Sequence, residues 1–313
     1  MNTAAPKKLP APRHDEPMAA RRPHAEPVDS CTLNTRDAIA TLLGGLPVFR
    51  PGEVWLVGAG PGDPRHLTLE AVAALASADA VVHDALVDPR VMSLARPEAE
   101  RVFAGKRGGK PSAVQADIAA RLVELARAGR RVVRLKGGDP FMFGRGGEEV
   151  ETLLAHGISC RVVPGVTSGL AGLAAAGIPA TMRGINQAVV LATGHGGIGQ
   201  EAPDWGAISA TGLPLVLYMA MKNLPEIVAA LIAGGRPAET PAAIIAAVAT
   251  SAERVLVSRL DRIVPDALEA GMEPPAIVAI GDIVALRERL AAGLLPFRLA
   301  GDDAGTSDIG AAS

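Results

Sequence analysis

The chain has 313 residues, which is enough for two domains of ordinary size and a substantial core. Hydrophobic residues make up 49% of it and aromatic residues only 3%, so the core must be built from Ala, Val, Leu and Ile, which fits an α/β protein. The formal net charge of -2 argues against a surface that attracts nucleic acid or anionic membrane as a whole, so any anion binding must be local.

The cysteines and histidines predict neither a disulfide framework nor a metal site. Cys31 and Cys160 lie far apart and form no CxxC pair, and the histidines lack the spacing of metal ligands. No apolar run is long enough to span a bilayer, and no apolar segment follows Lys7 and Lys8 as in a secretory signal. The expected location is therefore the cytoplasm, with no membrane partner.

The first half of the chain predicts a parallel sheet. Residues 1–51 form a disordered or weakly ordered tail in this interpretation, with one short helix at 34–43. From residue 53 onward, strand-like and helix-like segments alternate, which is typical of successive βα units. The strands are predicted at 54–57, 80–83, 132–135 and 160–163, and the helices at 68–77, 89–95, 112–128, 148–156 and 168–176. These elements define a first α/β domain, residues 52–180.

The second half predicts a mixed sheet with helices, because several strands follow one another with short links. After a connection at 181–186, the strands are expected at 188–193, 215–219, 243–247, 254–258 and 276–280, and the helices at 224–233 and 262–270. This gives a second α/β domain, residues 181–292, and a disordered tail, residues 293–313.

The segment 135–149, with the sequence LKGGDPFMFGRGGEE, crosses from a predicted strand to a predicted helix. Gly137 and Gly138 let the backbone approach a ligand closely, and Asp139 places a carboxylate at the end of the strand. In an open α/β sheet this edge is where ligands bind. The alternative interpretation is a glycine-rich turn whose aspartate caps the next helix.

The sequence does not match either of two common phosphate-binding motifs. The segment 58–63 lacks the dinucleotide pattern GxGxxG because Asp63 stands where the third glycine is required. The segment 105–110 is not a P-loop, because position 104 is not glycine and Pro111 replaces the Ser or Thr that would hold magnesium. Phosphate cradling is therefore disfavoured.

The loops that follow the predicted parallel strands should line one cleft, because the carboxyl ends of such strands share a rim. These loops are 58–64, 84–87, 137–147 and 164–168. They bring carboxylates and cations together, namely Asp84, Asp139, Lys106, Arg107, Lys110, Lys136 and Arg145. This composition suits a flat or extended cofactor beside an anionic substrate.

Several motifs in the same order resemble the tetrapyrrole methylases, in particular those that act on uroporphyrinogen III. The motifs are VGAGPGDP at 57–64 with LTL at 67–69, HDALV at 83–87, GKR at 105–107, KGGDPFMFGRGGEE at 136–149, VPGVTS at 163–168, and YM at 218–219 with KNLP at 222–225. The resemblance runs from about residue 53 to 290. It implies two α/β domains with the active site in the trough between them, and a homodimer.

The resemblance also implies the reaction. S-adenosyl-L-methionine would methylate uroporphyrinogen III at C-2 and C-7, giving precorrin-2 through precorrin-1 and feeding sirohaem or cobalamin biosynthesis. The alternatives are a later precorrin methyltransferase of the same family and, less favoured, a cofactor-binding regulator without catalysis. Residues near the trough that can pair with a substrate rich in carboxylates include arginines, which often bind carboxylates through two hydrogen bonds.

Residue roles follow from the resemblance, position by position. Asp84 would accept a proton and Lys106 would donate one, while Arg145, Arg183 and Arg107 would bind substrate. The cofactor contacts would be Pro61, Gly137, Gly138, Asp139, Met142, Thr167, Ser168, Met219, Val248 and Ala276, with no metal. Three alternatives stay open: Asp84 as a cap for the helix that begins near Pro89, Met219 as a core residue, and Ala249 rather than Val248 facing the cofactor.

Three positions depart from the family pattern. His83 stands where Tyr is usual before the expected base, and either tunes Asp84 or fills space. Met182 replaces a His that usually precedes Arg183, which puts any essential role of that ring in doubt. The wholly apolar segment 246–249 stands where the family usually has Glu-Asn-Gly-Thr.

Overall fold

The structure is a computed structural model that describes residues 35–105, 115–196, 202–290 and 293–294. The chain divides into two compact units, Met1–Thr41 and Leu42–Ser313. The described part of the first unit belongs to helix α1 (Thr35–Gly44), within one residue of the prediction. Among the described residues, none of the helices has the length and hydropathy needed to cross a membrane.

The first half of the larger unit contains a fully parallel sheet of five strands in the order β3-β2-β4-β1-β5. The strands are β1 (Val54–Gly58), β2 (Ala80–His83), β3 (Glu100–Phe103), β4 (Val132–Lys136) and β5 (Cys160–Val163). The helices are α2 (Leu69–Ser77), α3 (Pro89–Met92), α4 (Gln115–Arg127), α5 (Gly146–Ala155) and α6 (Ser168–Ala175). The predicted strands are all confirmed, and the first residues of the predicted helix 112–128 lie outside the described part of the chain.

Strand β3 was not predicted, because it is an edge strand that never forms a buried apolar run. Its residues are only partly buried or exposed. The central strands β1 and β4 are instead buried at every position, as expected where helices cover both faces of a parallel sheet. Helix α2 begins where predicted, because the Thr68 side chain accepts a hydrogen bond from the Ala71 N–H.

The second half contains a mixed sheet in the order β6-β7-β10-β8-β9. Only β6 and β7 are parallel, and the other neighbours are antiparallel. The strands are β6 (Val190–Thr193), β7 (Leu215–Tyr218), β8 (Pro241–Ala246), β9 (Arg254–Arg259) and β10 (Ala276–Ile280). The helices are α7 (Trp205–Ala210), α8 (Leu224–Ala233), α9 (Ile263–Glu269) and α10 (Leu286–Leu290). The mixed sheet is confirmed, whereas the short helices α7 and α10 were not predicted.

Helix α6 connects the two sheets. Leu173 of α6 packs in one apolar cluster with Val216 of β7, Ile245 of β8 and Ile277 of β10. Because α6 follows directly on the loop after β5, this packing brings the carboxyl ends of the parallel strands against one end of the second sheet. Both sheets lie in the larger unit, and the division into domains 52–180 and 181–292 stays a prediction.

Candidate functional site

Three glycines from different loops meet backbone to backbone at the end of the first sheet. A Cβ atom on Gly58 would lie 2.5 Å from the Cα of Gly165 and 2.7 Å from the carbonyl oxygen of Gly138. Real Cβ atoms do not come so close to backbone, so only glycine fits at this crossing. The structure thus brings together the loops 58–64, 137–147 and 164–168, whose meeting at one rim was expected from the sequence.

Hydrogen bonds fix these loops to each other. Gly138 donates its N–H to the Gly60 carbonyl at 2.7 Å, and Gly60 donates in return at 3.2 Å. The Asp139 carboxylate accepts from the N–H of Phe141 at 2.9 Å and from the N–H of Gly165 at 3.0 Å. We call the meeting point of Gly58, Gly138 and Gly165 the cradle. Asp139 holds its loops in place, while each carboxylate oxygen of Asp139 keeps a further lone pair for a ligand.

A second carboxylate, Asp63, anchors the loop after β1. It is almost fully buried and accepts hydrogen bonds from the backbone N–H and the guanidinium of Arg65, with Arg90 nearby. Burial raises the pKa of the Asp63 carboxyl, but the hydrogen bonds from Arg65 outweigh burial and leave this pKa below its usual range. The residue that breaks the dinucleotide pattern is thus a structural anchor.

Asp84 lies beside the cradle, at the carboxyl end of β2. Its carboxylate accepts from the N–H of Leu86 at 3.1 Å and faces the N–H of Gly137 at 3.4 Å. It is not the cap of helix α3, because Asp88 accepts the hydrogen bond of the Arg90 N–H at that helix start. His83 directs its ring to the Asp84 backbone carbonyl and to the ring of Phe103 rather than to the carboxylate.

Tyr218, at the end of β7, joins the second sheet to the cradle. Its Oη lies 2.8 Å from the Oγ1 of Thr167 and also accepts from the N–H of Gly169. Burial raises the pKa of the Tyr218 phenol, so the hydroxyl stays protonated. The ring also contacts Phe143 of the loop 137–147, with ring centroids 4.9 Å apart. Tyr218 is the only tyrosine of the chain, and it stands at a predicted strand end just before Met219. The sequence could have marked it as a site residue for that reason.

Several residues other than glycine adopt the left-handed backbone region, and they border the same cleft. They are Phe143, Arg145, Met219, Ala247 and Ala249. Such conformations cost about 1–3 kcal/mol each and concentrate at functional sites. Their clustering at the facing ends of the two sheets marks this region as the candidate site.

The second sheet presents both backbone and side chains to the cleft. Met219 follows β7 and is 50% exposed, whereas Ala276 at the start of β10 is buried. Val248 and Ala249 are buried, and Val248 packs on Gly172 of α6. The carbonyl oxygens of Val248 and Ala249 approach Gly62, since a Cβ there would lie 3.1 Å and 3.0 Å from them.

The remaining predicted cofactor residues lie along the same loops. Pro61 belongs to the loop after β1 and is partly buried, as are Met142, Thr167 and Ser168. Met142 packs against the apolar cluster that joins α6 to the second sheet.

The structure describes only some of the cations that are expected to bind substrate. Arg145 is exposed at the start of α5 and pairs with Glu148, with Nε 2.9 Å from Oε1. Lys106 and Arg107 lie outside the described residues. Arg183 is exposed in the turn at 182–186, which Asn186 closes by accepting from the Met182 N–H.

The turn that carries Arg183 borders a different cleft. Gly184, which follows Arg183, and Gln187 line this cleft of about 720 Å³ together with Leu213 and Gly281. This cleft lies near the beginning of β7 and the end of β10, whereas Met219 and Ala276 lie at the opposite ends of these strands.

Sequence reasoning missed a buried charged cluster next to Asp84. Glu149 of α5 binds Arg134 at 3.1 Å and Lys136 at 3.2 Å, and all three side chains are buried. Alternation of polar and apolar residues could not reveal it, because a charged side chain in a strand is normally read as solvent-facing. No group of His, Cys, Asp and Glu suited to a metal ion occurs in the described part of the chain.

Comparison with known proteins places this geometry in a family. The sequence profile of the tetrapyrrole (corrin/porphyrin) methylases matches residues 53–264. A uroporphyrinogen-III C-methyltransferase from Sinorhizobium sp. is 54% identical over 254 residues, which cover 80% of this chain and 91% of that relative. A siroheme synthase from Pseudomonas aeruginosa (strain LESB58) is 46% identical over 250 residues, and the alignment covers 80% of this chain but only 54% of the synthase.

Solved structures of similar proteins support the same family. The uroporphyrin-III C-methyl transferase from Thermus thermophilus, complexed with S-adenyl homocysteine, matches with a TM-score of 0.63 and 39% identity, over 75% of this chain and 99% of that one. A cobalt precorrin-4 methyltransferase shares the fold, with a TM-score of 0.67 and 24% identity over 74% of this chain and 96% of that one. The chain therefore belongs to the tetrapyrrole methylases.

Proposed function

We propose that this chain transfers methyl groups from S-adenosyl-L-methionine to C-2 and C-7 of uroporphyrinogen III, giving precorrin-2 through precorrin-1. The observation that carries the proposal is the glycine cradle of Gly58, Gly138 and Gly165 with the Asp84 carboxylate at its edge. It occurs in a chain that is 54% identical to a uroporphyrinogen-III C-methyltransferase over nearly the whole length of that enzyme.

The cradle offers bare backbone and polar groups that suit S-adenosyl-L-methionine. Its floor is bare backbone, which lets an extended ligand lie against the ends of β1 and β4. Asp139 is suited to a ribose hydroxyl or an amino group of the ligand, and the exposed side chain of Met219 is suited to the adenine face. The other proposed contacts are Pro61, Gly137, Met142, Thr167, Ser168, Val248 and Ala276, where Val248 contributes through its backbone carbonyl.

The bound cofactor supplies an electrophilic methyl group on a sulfonium. The new C–C bond forms as the S–CH₃ bond breaks, the sulfur keeps the electron pair, and the tetrapyrrole then loses a proton. The protein must align the reacting atoms and accept this proton. Asp84 is the proposed acceptor, because its carboxylate sits beside the cradle and is held in place by Leu86 and Gly137. Lys106 is the proposed proton donor.

The substrate is rich in carboxylates, and we propose that Arg145 and Arg107 bind them through charge-assisted hydrogen bonds. Arg145 is held by Glu148 in the described structure, so a substrate carboxylate would have to share or replace this partner. Arg183 is the third proposed substrate residue, and its role rests on the resemblance alone, because its turn lies at the far ends of the strands that carry Met219 and Ala276.

The assembly and the pathway are also proposals. The resemblance favours a homodimer in the cytoplasm whose product feeds sirohaem or cobalamin biosynthesis. Light scattering after size exclusion tests the assembly, since a dimer has twice the 31.9 kDa of one chain. The chain spans about half the length of the siroheme synthases that it matches, so their further activities are not assigned to it.

A pair of matched variants tests the function. Asp84→Asn removes the proposed acceptor and should lower methyl transfer from labelled S-adenosylmethionine by about 100-fold or more. Asp88→Asn makes the same change at the cap of α3, where asparagine also caps well, and should leave the rate within about twofold. Equal rates in both variants would contradict the role of Asp84.

A further inference from the structure

The cleft beside the turn at 182–186 has no part in the proposed methyl transfer. It measures about 720 Å³, which is a size typical of small-molecule sites. It lies at the ends of β7 and β10 that point away from Met219 and Ala276. Its lining residues come from the segments 184–187, 209–214, 234–240 and 281–282, so the fold, rather than one loop, builds the cleft.

A buried arginine forms part of the cleft wall. Arg236 is the one cation among the described lining residues, and it is only 6% exposed. Its Nη2 donates to the carbonyl of Leu213 at 3.0 Å, whereas its Nε is buried without a hydrogen-bond partner in the protein. Burial lowers the pKa of this guanidinium, because it removes the water that would solvate the charge. Buried cations are normally paired or fully hydrogen-bonded, and Arg236 is neither within the described part of the chain.

The cleft does not supply the missing anion from its own walls. Asp282 is the one carboxylate among the described lining residues, and its side chain is exposed. Its charge acts on Arg236, but the two side chains form no ion pair in the structure as described. Arg236 therefore keeps N–H donors for a ligand.

Bare backbone leaves room beside this guanidinium. Gly235 precedes Arg236 and Gly212 precedes Leu213, and a Cβ on either glycine would meet nothing within 4 Å. Both glycines line the cleft, so open space flanks both partners of the Arg236–Leu213 hydrogen bond. The exposed amide of Gln187 lines the same cleft and can donate a further hydrogen bond to a ligand.

We propose that this cleft is a second ligand site, in which Arg236 binds the carboxylate of a small organic acid. A planar guanidinium often binds a carboxylate through paired charge-assisted hydrogen bonds, and the bound anion would compensate the buried charge. A carboxylate suits the cleft better than a doubly charged phosphate, because Asp282 repels the second negative charge. The proposal does not depend on methyl transfer.

Acetate and inorganic phosphate are the probes, titrated at constant ionic strength. NMR follows the Nε–H signal of Arg236, assigned by its loss in Arg236→Lys, and the backbone N–H signal of Gly235. In the parent chain, acetate should shift both signals to saturation, and phosphate should bind more weakly.

Variants on both sides of the cleft sharpen the test. Arg236→Met should lower the affinity for acetate by about tenfold or more, measured at the Gly235 N–H. Asp282→Asn removes the repelling charge and should tighten phosphate binding by about threefold or more, with a smaller effect on acetate. Asp282 is exposed, so this second variant decides the question even if Arg236→Met does not fold.

Arg254→Met is the matched control. Arg254 also donates to backbone carbonyls, those of Ala270 and Gly271, but it is exposed. It pairs with Ala246, at the opposite end of β8 from the cleft residue Thr240. The affinity for acetate should stay unchanged in this variant.

The absence of a saturable shift in the parent would overturn the inference, since water alone would then pair with the Arg236 Nε. An equal loss of affinity in Arg254→Met, or unchanged phosphate binding in Asp282→Asn, would also overturn it. Tighter binding of phosphate than of acetate would refute the assignment of a carboxylate. A parent chain that fails to methylate uroporphyrinogen III would refute the proposed function and leave this result untouched.

Discussion

Gly165→Ala perturbs the cradle with a single methyl group. The added Cβ would overlap the carbonyl oxygen of Gly138 and lie 2.8 Å from the Cα of Gly58. Both neighbours are backbone, so neither can turn away as a flexible side chain would. Gly165 is not among the glycines with a positive φ, so the effect of the substitution is steric rather than conformational.

The magnitude follows from this overlap. Ordinary contacts to a Cβ begin near 3.4 Å, so the loops must separate by on the order of 1 Å. Overpacking of this kind costs about 1–3 kcal/mol of folding free energy. The shift would also strain the hydrogen bond from the Gly165 N–H to Asp139, and a displacement of about 1 Å in a site can lower catalysis about 100-fold.

Urea denaturation and calorimetric titration with S-adenosylhomocysteine measure the two effects. Gly147→Ala is the matched control, because its Cβ would meet nothing within 4 Å and it lies in helix α5. Alanine should stabilise that helix by up to about 1 kcal/mol and leave ligand affinity unchanged. If Gly165→Ala kept the stability and the affinity of the parent, the cradle described here would be wrong.

Three further outcomes are expected. Tyr218→Phe deletes the hydroxyl next to Thr167 and should cost about 0.5–1.5 kcal/mol in urea denaturation; an unchanged midpoint would contradict a bonded hydroxyl. Hydrogen bonds from Arg131 hold the pKa of Asp79 below its usual range, so Asp79→Asn should destabilise fully above about pH 4 and progressively less as the pH falls; equal losses at pH 3 and pH 7 would refute this linkage. Ala249→Gly relieves a left-handed backbone and should stabilise or be neutral; a loss above about 1 kcal/mol in thermal unfolding would count against that strain.

The meeting of the loops 58–64, 137–147 and 164–168 was predictable from the sequence. Alternation of strands and helices implies a parallel sheet, and the ends of parallel strands share one rim. Glycines at those ends then indicate close backbone approach, as at Gly58 and Gly138. The resemblance to a family added the reaction, which no spacing of residues could have provided.

Other features of the fold could not be predicted from the sequence and were seen only in the structure. Strand β3 is partly exposed, so hydropathy did not mark it. The pairing of Lys136 with Glu149 depends on how α5 packs against β4, which a linear pattern does not contain. The left-handed conformation of Ala247 and Ala249 was equally hidden, because alanine ordinarily avoids that region.

The apolar segment 246–249 illustrates how a departure from the family pattern is accommodated. Val248 packs on α6, and the carbonyl groups of Val248 and Ala249 rather than their side chains approach the loop after β1. The N–H of Ala249 donates to Glu253 at 2.7 Å, which holds the strained turn. Contacts made through the backbone tolerate a change of side chain, so the apolar sequence is compatible with a cofactor site.

The central claim is methylation of uroporphyrinogen III by this chain, and mass spectrometry of the product tests it most directly. Incubation of the purified protein with S-adenosylmethionine and uroporphyrinogen III should yield a tetrapyrrole that has gained two methyl groups, with a singly methylated intermediate at early times. An unmodified substrate under conditions where the protein is folded and binds S-adenosylhomocysteine would contradict the claim.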